Sequence, residues 1–202
     1  IYTLSLHDAL PICQVAALNG GSAGGGLSLG AGDVIGNTAV LSNGVVESSL
    51  FGGHAMNGNA IKNHVTLSAG TAKRTYGGRA EGIGKDAVKN TVEMTGGTVA
   101  ERIIGGFASK GNATENRVTL SGGKVKKDVY GGLAHGDGND AVKNIVEMTG
   151  GTVDEDICGG CASGKATENH VIISGGTAKK DVYGGWADDD DASHNKIGRA
   201  HV

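Results

Sequence analysis

The chain has 202 residues, including 38 Gly, one Pro, three Cys and seven aromatics, with 18 basic against 21 acidic side chains. That near-balance leaves no basic patch for a nucleic-acid backbone, and no run of 18 apolar residues crosses a membrane. Glycine at about 19 %, against a usual ~7 %, excludes an ordinary thick-cored globule, and only regular spacing of the 43 Leu, Ile, Val and Phe residues argues for folding at all.

The two ends read differently from the middle. Residues 1–12 (IYTLSLHDALPI) and 197–202 (IGRAHV) back-translate into the opposing adapters of short-read DNA sequencing, each in phase with its neighbour, Cys13 or Lys196. Both segments are therefore expected to be adapter-derived and to take no part in the fold. The native part is then 13–196, an internal fragment. Residues 13–32 read as a degraded or partial coil, with Gly20-Gly21-Ser22-Ala23 standing for the G-G-x-A of later units.

Residues 33–196 are one repeat. Anchor residues Asn37, Asn63, Asn90, Asn116, Asn144, Asn169 and Asn195 recur every 25 to 28 residues. Two unit types alternate: 87–109 matches 141–163 at 18 of 23 positions, and 113–134 matches 166–187 at 16 of 22. After each Asn comes a period-two strand, as in Val118 and Leu120 between Arg117, Thr119 and Ser121. A Gly pair such as Gly122-Gly123 then turns the chain. A second strand runs from Val125 through a charged middle to Val129 and ends on another Gly pair, and a polar loop of variable length leads to the next Asn. A fixed arc followed by a variable one is the signature of a solenoid coil. The prediction is an all-β parallel β-helix of about six coils of ~26 residues, with the seven Asn stacked at one corner as a ladder. Lys62, Lys89, Glu115, Lys143 and Glu168 precede successive Asn, and Glu101, Lys127, Glu155 and Lys180 follow eleven residues later in the opposite phase, which sets Lys beside Glu on stacked strands.

The units N-x-V-T-L-S-G-G…D-V-Y-G-G-x-A-x-G resemble the Gly-rich repeats of large autotransporter and adhesin-like surface proteins of Gram-negative bacteria. The resemblance covers 33–196. It implies a right-handed parallel β-helix in a passenger region, exported to the cell surface or beyond through an outer-membrane barrel lying C-terminal to this segment.

Candidate sites are few. Cys158-Gly159-Gly160-Cys161 is a C-x-x-C, but zinc needs four ligands and no second pair exists. Both Cys replace recurrent packing residues, so small apolar packing, a disulfide, and metal or redox chemistry all stay open. Gly136-Asp137-Gly138-Asn139-Asp140 is similar to a calcium-roll loop but lacks the nine-residue period. Asp188, Asp189, Asp190 and Asp191 form an acidic loop that is either merely solvated or weakly Ca²⁺-binding. His54, His64, His135 and His170 lie at different repeat phases and read as surface residues. The column Phe51, Tyr76, Ile104, Tyr130, Cys158 and Tyr183 reads as packing, without a catalytic or cofactor site. Loop residues around Trp186 and Asp188–Asp191 are the expected binding surface.

The leading function is a non-catalytic structural or adhesive module, with a host or cell-surface glycan or protein as partner and flanking coils of the parent chain as neighbours. A polysaccharide-active β-helix enzyme is one alternative. An RTX-like Ca²⁺-binding β-roll is the other.

Overall fold

A computed structural model describes residues 13–15, 18, 19, 23, 24, 26–28, 32–188 and 191–199. The described elements are all β, and their pairings are parallel. The chain winds as a β-solenoid of about six coils, each placing its strands beside the equivalent strands of the coils before and after it.

Each coil contributes to three sheets. The first takes the strand after the Asn, as in Thr91–Met94, Arg117–Leu120 and Ile145–Met148. It has eight strands in strict chain order, paired without slip, so Val65, Val92, Val118 and Val146 share one inward row. The third sheet is six strands of two residues each, lying just before the Asn, such as Ala87–Val88 and Ala113–Thr114. The second sheet carries the arc after the first Gly pair. In early coils it is one bent strand, Gly44–Ala55 or Thr71–Ile83. Later it divides into pieces such as Thr98–Val99 and Ile103–Lys110. The break falls on the charged middle, Ala100, Glu101 and Arg102, which lies outside both strands.

The main core lies between the first and second sheets. Its rows are Leu41, Leu67, Met94, Leu120 and Met148 on one side, and Val46, Val99, Val125, Val153, Leu50, Ile103, Val129 and Ile157 on the other. A second cluster joins the second-sheet strand ends Ala134 and Ala162 to the third-sheet residues Ala113, Ala141 and Ala166, beside the Asn corner. One member of the main rows is polar: Thr75 takes the position of Leu50 and Ile103, is fully buried, and its Oγ1 finds no partner.

Two expectations are revised. The N-terminal residues do pair with the first full coil, but in another register. Leu27 and Ser28 lie beside His54 and Ala55, which aligns Gly26-Leu27-Ser28, not Gly21-Ser22-Ala23, with the G-x-A positions. The steric criterion that selects Gly26 is its closeness to the Asn37 amide, which pattern matching on Ala missed. At the other end, Lys196–Arg199 form a strand beside His170–Ile173, with Ile197 opposite Val171. Residues 197–199 thus extend the first sheet, against the expectation that 197–202 stand outside the solenoid. Parallel pairing asks only for backbone groups in register, which almost any non-proline segment supplies. Residues 1–12 and 200–202 lie outside the described residues.

Candidate functional site

The Asn corner is built around one amide per coil. Asn90 Nδ2 donates forward to Asn116 Oδ1 (3.0 Å) and backward to the Ala60 carbonyl (2.8 Å), while its Oδ1 accepts both Asn63 N–H (3.0 Å) and Asn63 Nδ2 (3.0 Å). The same four bonds recur at Asn116, Asn144 and Asn169, and the ladder runs without a gap from Asn37 to Asn195. Asn63, Asn90, Asn116, Asn144 and Asn169 are fully buried. A primary amide has two donors and two acceptor lone pairs, so each is satisfied completely, which is what allows a polar group to sit dry.

The second Gly of each later pair exists for this amide. A Cβ on Gly78, Gly106, Gly132 or Gly160 would fall closer than 3.0 Å to the side chain of Asn90, Asn116, Asn144 or Asn169. The first Gly of each pair also turns inward: a Cβ there would clash with the carbonyl of the equivalent Gly one coil on (Gly105 for Gly77, Gly184 for Gly159) and would then press on first-sheet backbone at Thr91 or His170. The residue before each Asn makes the corner in left-handed conformation, with φ of 54–57° at Lys62, Lys89, Glu115, Lys143, Glu168 and His194, and 70° at Gly36. Such a conformation costs a non-Gly residue about 1–2 kcal/mol, so the ladder is strong enough to impose it six times. Charges at this corner pair across coils, Lys89 with Glu115 at 3.5 Å and Lys143 with Glu168 at 3.7 Å.

Because both glycines turn inward, the residues on either side of them both turn outward. Two columns result, one coil apart along each: Phe51, Tyr76, Ile104, Tyr130, Cys158, Tyr183 and, three residues later, His54, Arg79, Phe107, Leu133, Cys161, Trp186. They close over the glycine trough and cover one another. Phe51 stacks on His54 (4.7 Å between centroids) and on Tyr76 (5.2 Å), and the Arg79 guanidinium lies between Tyr76 (5.2 Å) and Phe107 (5.1 Å). Glu81 Oε1 sits 2.7 Å from both His54 Nε2 and Arg79 Nε. Burial lowers the His54 pKa despite the Glu81 hydrogen bond, which favours the neutral ring. Tyr130 is pushed well up, first by burial and then by Asp128.

Cys158 is buried and Cys161 half-buried, and both are free thiols. Trp186 is 48 % exposed, packs edge-on against Tyr183 at 5.2 Å, and donates from Nε1 to Asp188 at 3.0 Å. Asp191 accepts the Ala166 N–H through its carbonyl at 3.1 Å. Asp189 and Asp190 lie outside the described residues. Asp140, from the calcium-roll-like loop, instead accepts the Lys165 N–H at 2.8 Å. Among the described residues no three His, Cys, Asp or Glu side chains group as a metal site.

One ladder went unnoticed in the sequence. Four residues before successive anchors stand Asp33, Asn59, Asp86, Asn112 and Asp140, and each side-chain oxygen accepts the backbone N–H of the corresponding residue one coil on. The fixed offset from the Asn was the available signal. Counting loop lengths from the preceding Gly concealed it. Alternation of Asp with Asn keeps carboxylates from stacking on successive coils.

No protein-family model, curated protein or solved structure is similar to the chain at a significant level.

Proposed function

We propose that 33–196 is a non-catalytic structural and adhesive segment of an extracellular bacterial autotransporter passenger. The observation that carries this reading is the uniformity of the coils: the same amide ladder, glycine cradle and left-handed corner repeat from Asn37 to Asn195. A catalytic site departs from its scaffold, since it needs convergent groups in special geometry. The ionisable residues here pair mostly as ions between successive coils, and the half-buried His54, Arg79 and Glu81 group is taken up in the packing of the outward columns. A stack of this kind suits a rigid spacer that holds side-chain columns and loops along one axis.

The partner in this reading is a glycan or protein of a host or neighbouring cell, met by the loop face around Trp186 and Asp188, with further coils of the parent chain at the ends. Nucleic acid is no partner, and neither metal nor cofactor is needed. Cells displaying the chain should be retained on immobilised glycans or matrix proteins, and Trp186→Ala should reduce that retention. The purified chain should release no reducing ends from acidic or neutral polysaccharides. Turnover abolished by one carboxylate substitution would overturn the proposal.

A further inference from the structure

At every coil but one, the outward columns carry at least one bulky side chain across the glycine trough: Phe51 with His54, Tyr76 with Arg79, Ile104 with Phe107, Tyr130 with Leu133, Tyr183 with Trp186. At the remaining coil the pair shrinks to Cys158 and Cys161, walled by Tyr130 and Leu133 on one side and Tyr183 and Trp186 on the other. Gly159 and Gly160 face inward, so both thiols point outward, at the two positions whose side chains meet across the trough in other coils, as Phe51 does with His54 at 4.7 Å and Tyr183 with Trp186 at 5.2 Å.

A direct S–S bond fits this frame badly. Three residues of extended strand span about 10 Å, somewhat less where two glycines face the same way, whereas a disulfide wants Cα atoms within about 7 Å. An atom between the sulfurs relaxes that demand, since two metal–sulfur bonds of ~2.3 Å bridge a gap that one bond of ~2.05 Å does not. Zinc would require two more ligands, and among the described residues no third His, Cys, Asp or Glu groups with the pair. Soft d¹⁰ ions are satisfied by two thiolates.

We propose that Cys158 and Cys161 form a two-coordinate site for one soft thiophilic cation, of the Cu(I) or Hg(II) class. On binding, two S–H bonds break, two metal–sulfur bonds form, two protons go to solvent and no electron is transferred. Half-buried Cys161 gives the entry path, and buried Cys158 closes the site.

The test uses the full chain carrying Cys13→Ser, so that these are its only thiols. Hg(II) and, under anaerobic conditions, Cu(I) held by a competing chromophoric chelator are titrated separately. Uptake of one ion of either kind per chain, with X-ray absorption showing two sulfur ligands, supports the site. Cys158→Ala and Cys161→Ala should each weaken binding by at least ~100-fold, given that losing a mere supporting residue costs 10–100-fold. Their circular dichroism and melting should match the parent, which separates ligand loss from unfolding. Equal uptake by the double Ala variant, three- or four-fold coordination, or equal retention of Zn(II) would overturn it. So would ready formation of an intramolecular disulfide in the folded chain with oxidised glutathione, seen as a mass lower by two hydrogens.

Discussion

The Asn corner and the outward columns lie on opposite sides of the same glycine pairs, yet they obey different rules. At the corner every full coil presents Asn against Gly. On the outside no two neighbouring coils carry the same pair, and the columns run from Phe and His through Arg and Leu to Cys and Trp. The contrast follows from the kind of force involved. A buried amide has four hydrogen-bonding capacities in fixed directions, and missing one leaves an orphaned polar group at about 1–3 kcal/mol. Outward packing asks only for covered apolar area, which many residue types supply. Geometry tolerates no substitution where area tolerates many.

Breaking the corner should therefore cost most. Gly106→Ala drives a methyl into the Asn116 amide and should destabilise the chain by about 4 kcal/mol or more in denaturant unfolding. Asn116→Ala orphans the Asn90 N–H, one Asn90 Nδ2 hydrogen and the Ala87 carbonyl, and should cost roughly 3–5 kcal/mol by the same assay. The outward side should respond far less: Phe107→Leu keeps most of the covered area and should stay within about 1.5 kcal/mol.

Two substitutions sharpen the contrast by improving on the native residue. Thr75→Val replaces a buried, unpartnered hydroxyl by a methyl of similar volume, and should add about 1 kcal/mol, or ~2–4 °C in Tm. Lys62→Gly relieves a left-handed backbone at φ 54°, as Gly36 does one coil earlier, and should raise Tm slightly, by the net of about 1–2 kcal/mol relieved against 0.5–1 kcal/mol of glycine entropy.

Much of this was readable from spacing. The period, the alternation around Val118 and Leu120, and the recurrence of Asn are local patterns, and they locate the strands and the ladder. What spacing concealed is contact between distant residues. Nothing in G-G-x-A states that its second Gly serves an Asn one arc away, or that both glycines turn the same way and throw Ile104 and Phe107 to the same face. The left-handed corners were masked because Lys, Glu and His stand there instead of Gly. The Asp33-to-Asp140 ladder has a constant offset from the Asn, yet its members change identity from coil to coil. Pairing by Lys196–Arg199 had no side-chain signal, because backbone groups make it.

The most direct test is a double-mutant cycle between Gly106 and Asn116. If glycine is demanded by the amide, removing the amide removes the demand. Gly106→Ala should then cost little or nothing in an Asn116→Ala background, because its methyl enters space the amide has left. The predicted coupling is several kcal/mol, near the upper end for residues in contact. Additive effects of the two substitutions would contradict the cradle, and with it the reason given for the repeat.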